Sequence, residues 1–586
     1  MAEDTPKEPL ADETSVRNVA ESSEEGVEDP LSQTLPAGVD LLSQTLPAGE
    51  ALLARTPAEL EDPLSETLPA DDEALSRTLP AALDPEAAAS EEAEWDTMFS
   101  WPDLDAESQE PEDPRLRAFG MDRLDWVPGW GMATQAPGYV FQPSTLDQVR
   151  ELLLLAGERG APVTLRGAGR SYGDAAFCPE AMILDLQRFR RILSWDPEEG
   201  ILEAEPGVSL RDVWRYALGD GWWPSVVSGT MHPTLGGCLA MNIHGKNNWR
   251  AGTIGDHCLD LDVMLPSGKL RTVSPEMDEE LFHGVIGSFG QLGVVTRVRW
   301  QLKKVESGLV EVEALAARNL EEMLRLADDA KDDHEYVVGW IDAFARGKSL
   351  GRGQLHLARH LTAEEDALPA QTLRVEAQDL PETFFGLVPR SIMWRLMKPW
   401  TNRPGMAWVN RAKAYHARTR ENGAVYRQSL AAFSFLLDYV PGWKRAYLPG
   451  GLIQHQSFVP VDRAHEVFQR QLEICRRRRM PSFLAVLKRH RPDPFLLGHG
   501  VDGFSLALDF PVTRRNRAKL WDLVREISEP VVEAGGRFYP AKDAALPAEL
   551  YRATFHDGQL KRFAELKERC DPQGVLTSAL ARRLLG

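Results

Sequence analysis

The fold of this chain is decided by residues 166–174, which read Arg-Gly-Ala-Gly-Arg-Ser-Tyr-Gly-Asp and follow a short apolar stretch over 163–165. A glycine-rich turn after a strand lets backbone N–H groups come close to an anionic phosphate. The turn is not a Rossmann fingerprint, because its third glycine comes one place late and no helical pattern opens behind it. A Walker loop, GxxxxGK followed by Ser or Thr, occurs nowhere in the sequence. Taken alone, the turn fits a phosphate site and a structural bend about equally well.

Regular elements are predicted on both sides of this turn. An amphipathic pattern predicts a helix over 145–160, with Thr145 as N-cap and a closing glycine. Residues 201–205 read as a strand, and Ser209 begins a second predicted helix. A hairpin is predicted over 258–273, turning at Pro-Ser-Gly, and an alternating strand follows over 294–302.

Four glycine-containing elements follow one another between residues 135 and 305. They are RGAGRS at 166–171, SGT at 228–230 with TLGG at 234–237, LPSG at 265–268 and GSFGQLGVVT at 287–296. This order resembles the vanillyl-alcohol-oxidase superfamily, whose FAD-binding domain is of the p-cresol methylhydroxylase type. The resemblance implies an α+β fold, with a two-subdomain FAD-binding domain and an antiparallel-sheet substrate domain behind a disordered N-terminal tail.

The resemblance also implies where FAD lies. Its pyrophosphate is expected on the RGAGRS turn and its adenine end on the later glycine-rich segments. The implied cofactor-binding residues are Arg166, Gly167, Ala168, Gly169, Arg170, Ser171, Tyr172, Gly229, Thr230, Gly236, Gly237, Asn242, His244, Gly245, Asn247, Gly293, Val294 and Val295. Many members attach the flavin to a histidine where this chain has Arg170, so attachment at that position is excluded and we expect noncovalent FAD.

Further segments are similar to one subfamily, the decaprenylphosphoryl-β-D-ribose oxidases. These segments are HGKN at 244–247, GLIQHQSFVP at 451–460, SFLAVLK at 482–488, GGRFYPAKD at 535–543 and the chain end over 570–584. In the subfamily the first four correspond to a hallmark loop, a strand with two glutamines, a strand with an active-site lysine and a segment that returns to the flavin, and the chain end fits as well. The resemblance therefore covers about residues 115–586.

Oxidation of a secondary alcohol requires hydride transfer to flavin N5, removal of the hydroxyl proton and stabilisation of the reduced, anionic flavin. By the resemblance, Lys542 supplies the fixed positive charge, with Tyr539 beside it, and Lys542 is also the candidate general base. Gln456 is expected to hydrogen-bond sugar hydroxyls, and Lys488 to meet a phosphate as a point charge. Lys246 is expected near the cofactor or the substrate phosphate.

Each of these residues also has a plain structural interpretation. Gln454 and Gln456 are two apart on a predicted strand and share a face, which could be a polar face towards solvent. A lone lysine such as Lys542 is ordinarily a solvated surface residue. His244 could be a buried histidine with satisfied hydrogen bonds, and Tyr172 could pack against the flavin or gate the pocket.

One departure from the subfamily concerns the chemistry. Its known members have a cysteine beside the flavin, where this chain has Ala507, so a thiol cannot take part here. The asparagine two places earlier is replaced by Ser505, which leaves the sugar contacts open. The five cysteines of the chain are widely spaced and odd in number, and we expect reduced, buried thiols rather than a disulfide framework or a metal site.

The formal net charge of −22 is unevenly distributed. Residues 1–114 contain 31 acidic and 4 basic residues, so the rest of the chain has 57 acidic and 62 basic residues. Rich in Pro, Ala, Ser and Glu, this first segment is predicted to be disordered, and the overall acidity argues against nucleic acid as a partner.

The tail contains five repeats of 11 residues over 31–81, of which LSQTLPA at residue 31 is the first. A proline in every unit prevents a continuous helix. The repeats are either a solvated low-complexity tail or an array of short protein-docking motifs, in which tandem copies would add avidity. An acidic and aromatic piece over 94–105 is a second candidate docking segment.

The N-terminus has no basic or apolar signal pattern, and no stretch approaches 18 apolar residues, so we expect a cytoplasmic protein. Residues 384–400 mix aromatic, aliphatic and basic side chains, which suits either a lid over the active site or peripheral contact with the inner face of a membrane. The two interpretations are compatible.

The predicted domains are a tail (1–114), an FAD-binding domain (115–305), a substrate domain (306–530) and a C-terminal segment returning to the flavin (531–586). The predicted function is FAD-dependent oxidation of a sugar secondary hydroxyl, with the C2 hydroxyl of a polyprenyl-phosphate ribose as the expected substrate group. A short-chain reductase is the partner that the resemblance suggests. The alternatives are an aldonolactone or sugar-alcohol oxidase and, in another class, a flavoprotein recruited to a scaffold through its repeats.

Overall fold

The computed structural model describes residues 123–384, 388–556 and 558–586. The predicted acidic tail, its repeats and the 94–105 piece lie outside the described residues, as do three residues of the 384–400 segment. The described chain is built on three main sheets with helices packed around them.

The first sheet positions the glycine turn. Its strands are β1 (Leu124–Pro128), β2 (Gln135–Phe141), β3 (Val163–Arg166) and β4 (Ala181–Asp185), in the order β1-β2-β4-β3. Strands β3 and β4 are parallel, so the turn that follows β3 lies at the edge where both strands end. Helix α1 (Leu146–Arg159) connects β2 to β3; the Thr145 hydroxyl accepts from its first turn, and Gly160, at φ 61°, closes it. The predicted helix and both of its caps are confirmed.

The second sheet is antiparallel and has the order β5-β6-β10-β8-β9. The elements of this region are β5 (Ile192–Asp196), β6 (Ile201–Ala204), α2 (Leu210–Ala217), β7 (Trp222–Trp223), α3 (Leu235–Ala240), α4 (Asn248–Ala251), β8 (Cys258–Met264), β9 (Leu270–Val273), α5 (Glu279–Val285), β10 (Val294–Gln301) and β11 (Lys303–Lys304). Strands β7 and β11 form a separate short pair. Ser209 and Asp212 form a capping box at the start of α2, as its sequence indicates. The predicted hairpin is β8–β9, and Gly268 takes a positive φ of 77° in its turn.

The third sheet has eight antiparallel strands in the order β17-β12-β14-β13-β19-β20-β18-β21. Its region contains β12 (Leu309–Ala317), α6 (Leu320–Asp329), β13 (Tyr336–Ile341), β14 (Gly353–His360), α7 (Pro369–Thr372), β15 (Thr383–Phe384), β16 (Val388–Pro389), α8 (Met393–Met397), α9 (Arg403–His416), β17 (Ala424–Ser429), α10 (Leu430–Ser434), β18 (Leu452–Pro460), α11 (Ala464–Arg477), β19 (Leu484–His490), β20 (Gly503–Pro511), α12 (Arg517–Glu533) and β21 (Arg537–Phe538). Strands β15 and β16 pair only with each other. Helices α6, α11 and α12 pack near one another, and α11 and α12 cover β18 on one side of the sheet.

The end of the chain returns to the first sheet. After α13 (Ala548–Ala553) and α14 (Gln559–Cys570), the Val163 N–H donates to the Val575 carbonyl at 2.7 Å. The Thr164 hydroxyl donates to the Thr577 carbonyl, 413 positions later in the chain, at 2.8 Å. The last helix, α15 (Ala579–Leu584), follows directly. Strand β3 is therefore held in place by the carboxyl end of the protein.

These elements confirm the α+β class and the antiparallel sheet in the second half of the chain. The domain boundaries stay a prediction. Within the described ranges, no helix combines the length and the apolar character needed to cross a bilayer.

Candidate functional site

A large cavity brings the glycine turn and the third sheet together. Its empty volume is about 2140 Å³, a figure that includes the solvent at its open mouth. The predicted site residues that line it are Arg166, Gly167, Ala168, Gly169, Arg170, Ser171, Tyr172, Gly229, Thr230, Gly236, Gly237, His244, Lys246, Gly293, Val295, Gln456, Lys488, Tyr539 and Lys542. The glycine turn, the glycine-containing loops and the third sheet therefore line one continuous space.

Four predicted cofactor residues do not line this cavity: Asn242, Gly245, Asn247 and Val294. They lie in the wall behind it. The Asn242 side-chain oxygen accepts from a backbone N–H at 3.3 Å, and the Asn247 amide donates to a backbone carbonyl at 3.0 Å. Val294 pairs with β8 in the second sheet. A cofactor role for these four stays a prediction.

The glycine turn has unused hydrogen-bond donors. The backbone N–H groups of the five consecutive residues 167–171 donate no hydrogen bond to any described residue, although all five residues line the cavity. Gly169 has a φ of +60°, which favours glycine, and a side chain there would meet the Arg166 guanidinium. Successive N–H groups without partners form an anion-binding concavity. The turn therefore fits a pyrophosphate, the group that the resemblance expects here.

The Asp438 carboxylate lies beside the glycine-containing loop at 228–231. The Thr230 hydroxyl donates to Asp438 at 2.7 Å, and the Met231 N–H donates to the other carboxylate oxygen at 2.8 Å. Burial raises the pKa of Asp438, although these hydrogen bonds and the charges of His232 and Arg170 oppose the rise. Asp438 thus holds the 228–231 loop in place near the turn.

Four neighbouring strands present one face of the third sheet to the cavity. Register and alternation place the following rows across it: Leu484–Asp509–Gln454, Val486–Ala507–Gln456 and Lys488–Ser505–Phe458. Val338 of β13 stands opposite Lys488 and lines the cavity as well. Gln454 and Gln456 therefore face the cavity together, as their spacing predicts, and they do not face solvent.

The alanine that replaces a cysteine lies in the middle of this face. Ala507 stands between Val486 and Gln456 and lines the cavity. All five cysteines are buried and free, and none of them lines the cavity. The expectation of reduced, buried thiols agrees with this arrangement.

Besides Arg166, Arg170 and Lys246, the charged residues that line the cavity are Lys488, Lys542 and Asp509. Burial lowers the pKa of Lys542 to about 8, although the Asp509 charge opposes this. Burial and then the Lys542 charge lower the pKa of Lys488 to about 7. Asp509 is the one carboxylate among the described residues that line the cavity. A negative group placed between the lysines would be favoured, because it would pair with both charges.

One carboxylate oxygen of Asp509 accepts a hydrogen bond, and the other has no partner among the described residues. Gln454 donates its amide to Oδ1, whereas the buried Oδ2 has no hydrogen-bond partner among the described residues. Burial raises the pKa of this carboxyl to about 6, against the opposing effects of the Gln454 hydrogen bond and the Lys542 charge. An unpartnered buried acceptor is costly unless a ligand uses it. Asp509 can therefore receive a hydrogen bond or a proton from a hydroxyl group in the cavity.

Lys246 lies deeper in the wall. Its ammonium donates to the Phe433 carbonyl and lies 4.3 Å from the centre of the Phe433 ring. Burial, followed by the Lys488 charge, lowers its pKa well below the ordinary value. The Lys246 carbonyl accepts from Val337, which ties this loop to β13.

A network of buried histidines supports Gln456. One ring nitrogen of His244 lies 3.1 Å from His499, and the other lies 3.0 Å from the Gln456 amide. The same amide donates to the Ser505 hydroxyl at 3.1 Å, which in turn lies 2.7 Å from His490. Burial and then the Lys488 charge hold the pKa values of His244 and His490 well below their usual range. His244 is a buried histidine with satisfied hydrogen bonds; it also lines the cavity, and its cofactor role stays a prediction.

Tyr172 and Tyr539 connect the two halves of the site. The Tyr172 N–H donates to the Ala541 carbonyl at 3.1 Å, and the Lys542 ammonium lies 5.9 Å from the Tyr172 ring centre. The Tyr539 N–H donates to the Gln456 carbonyl at 3.1 Å, and its ring lies 4.6 Å from that of His244. The YPAKD segment is therefore attached to both the glycine turn and β18.

Sequence reasoning missed three residues of this site. Two of them follow from strand alternation. Asp509 comes two residues after Ala507 on β20, and His490 comes two residues after Lys488 on β19. His499 lies in the loop before β20, where no periodic pattern indicates which way a side chain faces.

Comparison with known proteins agrees with the geometry. Residues 137–274 match a family described as an FAD binding domain. The decaprenylphosphoryl-β-D-ribose oxidase of Mycolicibacterium smegmatis is 30% identical over 462 residues, which make up 78% of this chain and 96% of that protein. Cytokinin dehydrogenase 2 of Arabidopsis thaliana is 29% identical over 29% of this chain and 34% of its own length. A Neurospora crassa protein named as a D-arabinono-1,4-lactone oxidase is 25% identical over 29% of this chain and 30% of its own length.

Proposed function

Because the chain belongs to the family of FAD-binding oxidoreductases that includes decaprenylphosphoryl-β-D-ribose oxidase, we propose that it oxidises the C2 hydroxyl of a polyprenyl-phosphate ribose. FAD is its cofactor. One observation supports the proposal above the others: a single cavity joins a turn of unpartnered N–H groups to two buried lysines and a carboxylate with an open oxygen.

The turn at 167–171 would hold the FAD pyrophosphate, because its five N–H groups have no other acceptor among the described residues. Bound FAD supplies the acceptor for the hydride that leaves the carbinol carbon. Arg170 is not a histidine, so noncovalent binding is expected at this position.

Asp509 is the proton acceptor in this proposal, in place of the Lys542 expected from the sequence. Its open oxygen accepts a hydrogen bond from the C2 hydroxyl, and its carboxylate takes the proton as the carbonyl forms. A pKa of about 6 leaves the carboxylate ionised at neutral pH and still basic enough to receive the proton. The Gln454 amide orients the carboxylate through its other oxygen.

The lysines stabilise negative charge. Lys542 remains a cation at neutral pH, because the Asp509 charge opposes the effect of burial. It would stabilise the negative charge of the reduced flavin. Lys488 has a pKa of about 7, so an approaching phosphate would promote its protonation and pair with it. The Gln456 amide nitrogen bonds to His244 and Ser505, so its unpartnered oxygen would accept the hydrogen bond from a sugar hydroxyl.

The likeness to a protein named as a lactone oxidase supports a second candidate, oxidation of an aldonolactone or sugar alcohol. Lys488 favours the first candidate, because a buried lysine on the cavity face is costly without an anionic ligand. Recruitment to a scaffold through the N-terminal repeats is compatible with either activity.

The test follows the flavin absorbance of the full-length protein under anaerobic conditions. A polyprenyl-phospho-ribose should bleach the oxidised flavin band, whereas its 2-deoxyribose analogue should not, because it lacks the reacting hydroxyl. Simple alditols and aldonolactones are the comparison substrates. A flavin that stays oxidised with the lipid-linked ribose and is reduced by an alditol or an aldonolactone would refute the proposal and support the second candidate.

A further inference from the structure

One surface of the protein is strongly cationic although the chain is acidic. Residues 388–420 contain six arginines and two lysines and no aspartate or glutamate. Five of the arginines are exposed and form no ion pair with any described residue: Arg395, Arg403, Arg411, Arg418 and Arg420. Exposed arginines elsewhere occur both with acidic partners, as Arg477 and Arg478 do in Glu526, and without them. This segment differs in combining several unpaired arginines with no acidic residue at all. The described chain thus leaves this positive charge without a counter-charge.

Large apolar side chains are exposed on the same surface. Leu396 is 50% exposed, Trp400 37%, Trp408 40% and Tyr415 69%. The rings of Trp400 and Trp408 stack on each other with centroids 5.3 Å apart, so they form one aromatic platform. We call the surface formed by the exposed residues of 392–420 the cationic aromatic face.

Helix α9 shows how the face is built. Trp408, Arg411 and Tyr415 follow one another at spacings of three and four residues and lie on its outer side. Val409 and Lys413 are buried on its inner side. An outer side that alternates aromatic and basic groups is typical of helices that lie in a membrane interface, where the rings insert and the cations meet lipid phosphates.

The face is connected to the cavity through aromatic side chains. Met393 and Trp394 of α8 pack in one apolar cluster with Trp443. The Trp443 ring lies 5.2 Å from Trp130, which lies 4.6 Å from Tyr172 in the cavity wall. A surface that rested on a bilayer here would bring the cavity close to lipid-linked molecules.

We propose that the cationic aromatic face docks the protein on a bilayer that contains anionic lipids. Charge complementarity supports this partner, because each basic residue near an anionic surface strengthens binding and the exposed arginines have no described partner. The Debye length is about 8 Å at physiological salt, so the local charge of the face, rather than the net charge of the chain, determines the interaction. The docking does not depend on the proposed reaction, although it would explain how a polyprenyl-linked sugar is reached.

The test is flotation of the full-length flavoprotein with vesicles of phosphatidylcholine alone or of equal parts phosphatidylcholine and phosphatidylglycerol. Binding should occur with the mixed vesicles only and should weaken as salt is added. Replacing Arg403, Arg411 and Arg418 by Gln should weaken it about 100-fold, at about five-fold per arginine. The double variant Trp400→Ser, Trp408→Ser should bind at least ten-fold more weakly, through loss of apolar insertion.

A matched control removes comparable groups elsewhere. Trp126 is 51% exposed on β1, and Arg514 and Arg515 are exposed in the loop before α12. The variant Trp126→Ser, Arg514→Gln, Arg515→Gln should bind like the unchanged protein. All variants should retain full flavin content and unchanged turnover of a detergent-dispersed substrate, which separates failure of docking from failure of the proposed reaction.

Three results would overturn the docking proposal. The first is equal binding to both kinds of vesicle, and the second is full binding by the arginine and tryptophan variants. The third is absence of binding to the mixed vesicles; crosslinks from this face to the acidic tail or to a second copy of the chain would then identify its occupant.

Discussion

At the scale of single residues, the site is an arrangement of buried charges that the protein tolerates at some cost. Asp509, Lys488 and Lys542 all line the cavity, and burial shifts the pKa of each towards its neutral form. Each group would be more stable in water, so their presence together indicates a binding role rather than a stabilising one. The pH dependence of the reaction should report these groups directly.

We expect kcat/KM to rise as pH increases through about 6, where Asp509 ionises, and to fall between about 7 and 8, where Lys488 and then Lys542 lose their protons. Replacing Asp509 by Asn should lower kcat by roughly 100- to 10,000-fold and remove the acidic limb. Stopped-flow flavin reduction across this pH range is the measurement. An unchanged acidic limb in the variant would show that another group accepts the proton.

The same substitution should stabilise the fold. A carboxyl whose folded pKa lies above its unfolded value binds its proton more tightly when folded, so ionisation of Asp509 reduces stability as pH rises from about 4 through about 6. Asparagine avoids this cost and can still accept the Gln454 hydrogen bond. Thermal unfolding at pH 7.5 should therefore show Asp509→Asn to be more stable by roughly 1–2 kcal/mol, with no gain at pH 4.

At the scale of elements, the turn after β3 and the face of the third sheet are organised differently. The face depends on alternation along four strands, which needs only regular extended backbone. The turn depends on one left-handed residue, Gly169, whose φ of +60° turns the chain past the Arg166 guanidinium. The turn should therefore be the less tolerant of the two to substitution.

We expect Gly169→Ala to weaken FAD binding at least ten-fold, because a Cβ is strained at this φ by about 1–2 kcal/mol and also contacts Arg166. The matched control is Gly347→Ala, where φ is +55° and nothing lies within 4 Å of the added carbon. Flavin content on purification and titration of the flavin-free protein measure the difference. A similar loss of flavin in both variants would show that the effect is only general strain.

Some elements and side-chain positions could be predicted from the sequence, and others could not. Helix α1 and the β8–β9 hairpin were predictable because their caps and turn have local signals in Thr145, Gly160 and Gly268. Gln454 and Gln456 were assigned to one face from spacing alone, but only the resemblance indicated that the face meets a flavin. Alternation along β20 is enough to place Asp509 on the face of Ser505 and Ala507, but its pairing with Gln454 depends on the register between β18 and β20, which no local signal determines.

At the scale of the whole molecule, the carboxyl end connects the two halves of the site. The Arg583 guanidinium donates twice to Asp174, at the end of the glycine turn, with distances of 2.8 and 2.9 Å. It also donates to Asp543, next to Lys542, at 2.8 Å. Both carboxylates are buried, so one side chain neutralises two acids from distant parts of the chain.

We expect Arg583→Gln to destabilise the protein by roughly 3–5 kcal/mol, because it leaves two buried carboxylates without their cation. Flavin should be released at a lower temperature, since the turn and the Lys542 segment lose their common partner. The control is Arg569→Gln, which breaks an exposed pair with Glu280 and should cost less than about 1 kcal/mol. Thermal melts followed by flavin fluorescence compare the two variants. Equal shifts in melting temperature would show that the ion pairs of Arg583 stabilise the protein no more than an exposed pair does.

The hydrogen bonds from β3 to residues 575–577 also have a consequence for biosynthesis. The chain is made from its N-terminus, so the glycine turn emerges from the ribosome long before the residues that hold its strand in place. The flavin pocket should therefore mature only after residues 575–577 have been synthesised. A yellow protein would report that synthesis had passed this segment, and a product terminated before it would remain colourless and open to proteolysis.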